Sequence, residues 1–209
     1  MPCSDETNMK SPLHYQATEY DCGPTSMTNA ILYMFEREEI PPDLVRHIGQ
    51  CTLDSFDETG HAGRYGTSGA SIRYFGSWLN ELRHAGLLPI ESWFTEKEKV
   101  FWGKGSILTE ALNHGSAIVL HVYFRGYGHY VLITGKDGDR CKVFDPYYTT
   151  HDPAATGIIK VTDQPFSHNL LVPEDILNNT SAEDYSMGDI STREALIISR
   201  YHVNDLYII

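Results

Sequence analysis

The chain reads as an α+β protein, helices first and sheet later, and three observations carry that reading. In the N-terminal half, apolar residues recur at three-and-four spacing, at Met27, Ala30, Ile31, Met34 and Phe35 and again at Ile72, Phe75, Leu79 and Leu82. Beyond Gly115 the pattern changes to short aliphatic and β-branched runs bounded by glycines, which is the signature of strands. The 209 residues are 41% apolar and 21% charged, enough to bury a substantial core without staples and too weakly charged for a disordered polyelectrolyte. The expected organisation is an N-terminal tail over 1–13 and one domain over 14–209, with no internal repeat or low-complexity segment.

The elements follow in order. A first helix starts at Cys22 or just after it, because Gly23-Pro24 breaks the preceding chain and proline is tolerated in a first helical turn. A second, short helix is expected over 43–50 after Pro41-Pro42, and a stronger one over 71–84, ended by Gly86. A third begins near Ser106 and stops before Gly115. The first core strand is read over 117–124, a second over 129–135 and a third over 139–145. A short strand over 157–161, a helix starting at Pro173 and running to Asn178, and final strands over 195–199 and 206–209 complete the reading. The run 178–191 is polar and reads as a surface loop. The glycine-rich stretch 52–69 is too long for an ordinary connector and reads as lining a cleft, with a plain linker as the alternative.

The candidate chemistry starts at Gln16-Ala17-Thr18-Glu19-Tyr20-Asp21-Cys22-Gly23-Pro24-Thr25-Ser26. A thiol at a helix N-terminus lies against unsatisfied amides and the positive end of the helix dipole, which favour the thiolate, and the thiolate is the attacking species. Cys3, Cys51 and Cys141 have no such setting and read as structural or incidental. A nucleophilic cysteine needs a base and a group to hold that base. His129 opens a strand after the flexible Arg125-Gly126-Tyr127-Gly128, at the mouth of a sheet. His121, inside a continuous apolar strand, reads as a buried, hydrogen-bonded histidine rather than a base.

The partner for His129 comes from the hairpin. If Lys136-Asp137-Gly138 is a three-residue loop with glycine in its last, left-handed position, His129 lies directly opposite Asp145 on the same face, with β-carbons about 5 Å apart. A two-residue Asp137-Gly138 turn would put Tyr130 opposite Asp145 instead, and a bulge would be needed to restore the pair. The three-residue loop is preferred because it gives Asp145 a use: accepting from one ring nitrogen, it fixes the tautomer of His129 and stabilises the imidazolium. Gln16, six residues before the thiol, is the candidate side-chain donor to an oxyanion, beside the backbone amide of Cys22.

These motifs together, with Gly128-His129-Tyr130-Val131-Leu132-Ile133-Thr134-Gly135 and Val143-Phe144-Asp145-Pro146-Tyr147, resemble the bacteriocin-leader-processing cysteine peptidases and their stand-alone relatives in the papain-like superfamily, over about residues 14–180. The resemblance implies Cys22 as nucleophile, His129 as general base and acid, Asp145 as orienting residue and Gln16 as oxyanion donor. It also implies a papain-like α+β fold, with N-terminal helices packed on an antiparallel sheet. The implied reaction is cleavage of an amide or thioester bond in a peptide or acyl-thioester substrate. Transfer of the acyl group to an amine and a catalytically silent binding domain are the alternatives. Leader-processing members usually front a transporter, whereas no apolar stretch here approaches the roughly 18 residues of a membrane helix, so a stand-alone relative is expected.

Composition narrows the rest. Sixteen Lys and Arg against 28 Asp and Glu give a net charge of −12, which opposes binding to nucleic acid or anionic membranes. The N-terminus has neither a basic region nor an apolar core, so a cytoplasmic protein is expected, without a disulfide framework. No Cys-x-x-Cys or His-Glu-x-x-His pair supports a zinc site, and no cofactor is expected.

Overall fold

The computed structural model describes residues 10–149 and 157–201. Seven strands form one sheet in the order β1-β7-β2-β3-β4-β6-β5. They are β1 Ile90–Glu96, β2 Ala117–Phe124, β3 Tyr127–Asp137, β4 Arg140–Phe144, β5 Ile159–Lys160, β6 Leu170–Pro173 and β7 Glu194–Arg200, and every ladder between neighbours is antiparallel. The helices are α1 Cys22–Met34, α2 Pro42–Thr52, α3 Gly69–His84, α4 Ile107–Asn113 and α5 Glu174–Asn178.

Side-chain alternation divides the core by sheet face. Ala117, Val119, Tyr130 and Leu132 join α1, α2 and α3 in one cluster. Ile118, Leu120, Val122, Val131 and Ile133 join α4, Trp102, Tyr185 and Met187 in a second, on the opposite face. The N-terminal helices thus pack on an antiparallel sheet as expected, while α4 and the 185–187 segment cover its back. Close approach of α3 is permitted by Gly76, where a β-carbon would lie 2.6 Å from Leu196 Cδ1. The Asn80 amide then pairs with both backbone groups of Ser92 on β1, at 2.8 and 2.9 Å.

The helices fall where the periodicity places them, and Ser106 caps α4 by accepting from the amides of Leu108 and Thr109. Four readings need correction. β1 precedes the strand expected to be first; two of its buried positions are the hydroxyl residues Ser92 and Thr95, so no apolar alternation announces it. β6 is a further strand, only four residues long and closed by Pro173. The polar run 178–191 is not all surface: Tyr185, Ser186, Met187 and Gly188 are buried. The fourth is the hairpin register. Asp137 pairs with Arg140 across Gly138-Asp139, so the loop is neither of the two alternatives, and Gly138 supplies the positive φ of 60° at its first central position. The expected strand over 206–209 and the tail cysteine Cys3 lie outside the described residues.

Candidate active site

The hairpin register decides which face of the sheet Asp145 presents. Near the turn, Lys136 pairs with Cys141 and Gly135 with Lys142; continued unchanged, this alignment would send the Asp145 side chain to the face opposite His129. A bulge between Ile133 and Gly135 shifts the pairing by one residue, so that Ile133 faces Val143 and Leu132 faces Phe144. Asp145 then falls beside Val131, on the same face as His129 and diagonal to it, within side-chain reach. The extra residue is Thr134, and its carbonyl accepts a hydrogen bond of 2.9 Å from the Tyr33 hydroxyl of α1. The helix that begins with the thiol therefore also holds the irregularity that aims the carboxylate.

His129 and Asp145 meet at 2.7 Å through Nε2 and Oδ1, both buried, at 6% and 2% exposure. A carboxylate only accepts, so Nε2 carries the proton and Nδ1 is left for other partners. The Cys22 side chain lies near enough to the same ring to influence its proton. Burial works against a second proton on His129, but the charge and hydrogen bond of Asp145, joined by those of Cys22, outweigh it and push the pKa up to about 10. Phe124 covers the pair from the side, its ring centroid 5.4 Å from that of His129.

Asp145 is over-determined. Its Oδ1 also accepts from the Tyr147 amide at 2.8 Å and its Oδ2 from the Tyr185 hydroxyl at 2.6 Å. Asn169 clamps its backbone, accepting from Asp145 N–H and donating to Asp145 C=O, both at 2.8 Å.

Cys22 is the first residue of α1, and the amides of a first helical turn have no partner within the helix. Asp21, preceding it, does not cap the helix with its side chain. Its carboxylate instead takes the amides of Ala17 and Thr18 and the Thr18 hydroxyl, folding the loop that carries Gln16. Gln16 N–H donates to Pro146 C=O at 2.8 Å, tying this loop to the residue after Asp145. The Gln16 side chain donates through Nε2 to Thr18 C=O at 2.7 Å, while its Oε1 is buried without a partner among the described residues. Thus His129 and Asp145 are directly bonded, Cys22 lies near enough to influence the ring, and Gln16 is tethered through its backbone to the residue after Asp145.

The long 52–69 loop reaches the same place. A β-carbon on Gly23 would collide with the Thr67 side chain, so the loop seats directly against the residue after the thiol. His121 stands half-buried in the row with Tyr130 on β3, and the Tyr130 hydroxyl donates to Glu194. Burial, then the neighbouring charge of His129, push the His121 pKa down to about 4, and its Nδ1 has no partner among the described residues. It is neutral at ordinary pH, but it is not the hydrogen-bonded core histidine expected from its strand. Cys141 is enclosed and burial pushes its thiol up, as it does that of Cys51. Tyr65 is exposed, whereas Trp102 is core; Trp93 packs against the cluster that contains Trp102 and Phe94 against the cluster on the opposite face of the sheet.

A sequence model of the Peptidase_C39 like family matches residues 9–163, which include Gln16, Cys22, His129 and Asp145. The chain belongs to the Peptidase_C39 like family. It is a cysteine-peptidase-like protein of papain-like α+β fold.

Among solved structures the chain is similar to the peptidase domain of Streptococcus mutans ComA at 12% identity and a TM-score of 0.40, covering 90% of this chain and 99% of that one. It is similar as well to a double glycine motif protease from an AMS/PCAT transporter in complex with the leader peptide, at 12% identity and a TM-score of 0.43, covering 93% and 96%. A search of curated proteins gives no match. Among the described residues no helix is long and apolar enough to cross a membrane, and no group of three or more His, Cys, Asp or Glu residues could hold a metal.

Two groups that hold the site went unread in the sequence, Asn169 and Tyr185, and both lie beyond the stretch that the Peptidase_C39 like model covers. Asn169 follows a histidine in an irregular segment and carries no motif. Tyr185 sits in a run of acidic and hydroxyl residues whose composition points to solvent.

Proposed function

We propose that this chain is a cysteine-dependent hydrolase that opens an amide or thioester bond through an acyl-enzyme on Cys22. The observation that carries the reading is the His129 ring bonded to Asp145 at 2.7 Å, with Cys22 near it at the head of α1; against burial, the carboxylate, helped by Cys22, raises the pKa of the ring to about 10. On this reading the ring takes the Cys22 proton, and the thiolate so formed is the competent nucleophile.

In the first step the Cys22 sulfur attacks the carbonyl carbon, and the developing oxyanion is met by the backbone N–H of Cys22 and the Gln16 side-chain amide. His129 then passes its proton to the leaving amine or thiol as the carbon–heteroatom bond breaks. In the second step His129 takes a proton from water, whose oxygen attacks the thioester, and returns it to the Cys22 sulfur as the free acid departs. Asp145 keeps the ring in its tautomer and orientation throughout. The free thiols Cys22, Cys51 and Cys141 suit a reducing, cytoplasmic setting.

Alkylation of Cys22 followed from neutral to mildly acidic pH tests this, with Cys22→Ala as the blank. An ion-paired thiolate keeps its labelling rate, whereas an unactivated thiol of pKa about 8.5 loses it as the pH falls, the outcome expected of a silent binding domain. Acyl-thioester and peptide donors with competing amines then separate the reactions: free acid alone marks a hydrolase, and an amide product marks acyl transfer.

A further inference from the structure

We infer that Tyr185 is a positioning residue for the His129–Asp145 pair: its hydroxyl, supplied from outside the stretch that the family model covers, anchors one carboxylate oxygen so that the other stays on the imidazole. The inference concerns the site proposed above and rests on that reading for its catalytic consequence, though not for the contact itself.

The carboxylate needs such an anchor. Rotation about a bond between tetrahedral and planar carbon is soft, and the other two side-chain contacts of Asp145, from His129 and from the Tyr147 amide, both fall on Oδ1. Oδ2 is held by Tyr185 at 2.6 Å. Burial first, then the charge of Asp145, hold the phenol well above its ordinary range, so it remains a donor across the working pH.

The fold takes trouble to present this hydroxyl. Tyr185 is 3% exposed and has a φ of 65°, in the left-handed region that side chains other than glycine rarely adopt. Its neighbours hold it there. Tyr185 N–H donates to Tyr123 C=O at 2.7 Å and Tyr123 N–H to Ser186 C=O at 2.8 Å, so the segment pairs with the free end of β2. Ser186 Oγ closes the loop onto the carbonyls of Ser181 and Glu183, and the Arg193 guanidinium ties the carbonyls of Gly188 and Asn178 together. Gly188, also at positive φ, lies where a β-carbon would strike the Tyr123 ring. A residue wanted only for bulk at the back of the sheet needs neither the backbone conformation nor the hydroxyl.

The test compares wild type, Y185F and S186A. Y185F keeps the ring and removes the donor; S186A loosens the same loop and leaves the donor in place. The first readout is the His129 Nε2 proton in 15N-histidine-labelled protein, which does not depend on turnover. Exchange of that proton with water is expected to be at least tenfold faster in Y185F, with shifted ring resonances, and unchanged in S186A. The second is acylation by a thioester donor, expected to show a kcat five- to twentyfold lower in Y185F at unchanged KM, measured well below the melting temperature. Ring resonances and exchange in Y185F identical to wild type, or an equal change in S186A, overturn the inference. Failure of the proposed function shows elsewhere, as loss of acid-persistent Cys22 labelling in wild type, and leaves the His129 comparison to decide the role of Tyr185.

Discussion

Replacing Asp145 with Asn should change the pH dependence of folding in a way that isolates the His129–Asp145 contact. In the folded chain His129 holds its proton to about 10, against an ordinary value of 6.5. Between those limits the folded state keeps a proton that the unfolded state has released, so stability falls as the pH rises, by about 1.4 kcal/mol per unit. The contribution is complete below 6.5 and gone above about 10, a total of at most about 5 kcal/mol. The comparison is made in a Cys22→Ala background, which removes the titration of the thiol and the weaker of the two partners raising the His129 pKa; the full figure is therefore a ceiling. In Asp145→Asn the raising partner is lost and burial, which favours the neutral ring, is left, so the decline above pH 6.5 disappears. Urea unfolding of the two proteins at each pH unit from 6 to 10 measures it, other titrating groups cancelling in the difference. Parallel curves across that range would refute the assignment of the raised pKa to Asp145.

Two further outcomes follow from the same geometry. Gln16→Ala should slow acylation about 10²- to 10³-fold, the effect of removing one oxyanion donor, with an unchanged melting temperature; a rate within a fewfold of wild type would remove Gln16 from the site. Tyr33→Phe deletes the hydroxyl that satisfies the carbonyl of Thr134 and should cost about 1–3 kcal/mol in urea unfolding, as expected for a buried acceptor left unpaired; a loss below about 0.5 kcal/mol would mean that the bulge does not need this contact.

Much of this architecture can be read from residue order alone, because its signals are local. The period of α1 and α3, Gly86 past the end of α3, the capping Ser106 and the aliphatic run of β2 each act within a few residues of themselves. The thiol at a helix start, and the histidine and aspartate flanking one hairpin, are legible for a related reason, since short stretches of chain impose each of those arrangements. What escapes is set by partners distant in sequence. β1 hides because its inward Ser92 is satisfied by Gly76 and Asn80 of α3. Tyr185 and Asn169 act on Asp145 across separations of 40 and 24 residues, and nothing near them marks the contact. The hairpin is the instructive case. His129 and Asp145 do share a face, but through a different turn and a bulge at Thr134, whose carbonyl accepts from a hydroxyl of α1, 101 residues away.

That bulge makes this chemistry cheap to switch off without dismantling the protein. Were the alignment at the turn simply carried on past Gly135, both strands would still pair, yet the acid would swing to the wrong side of the blade.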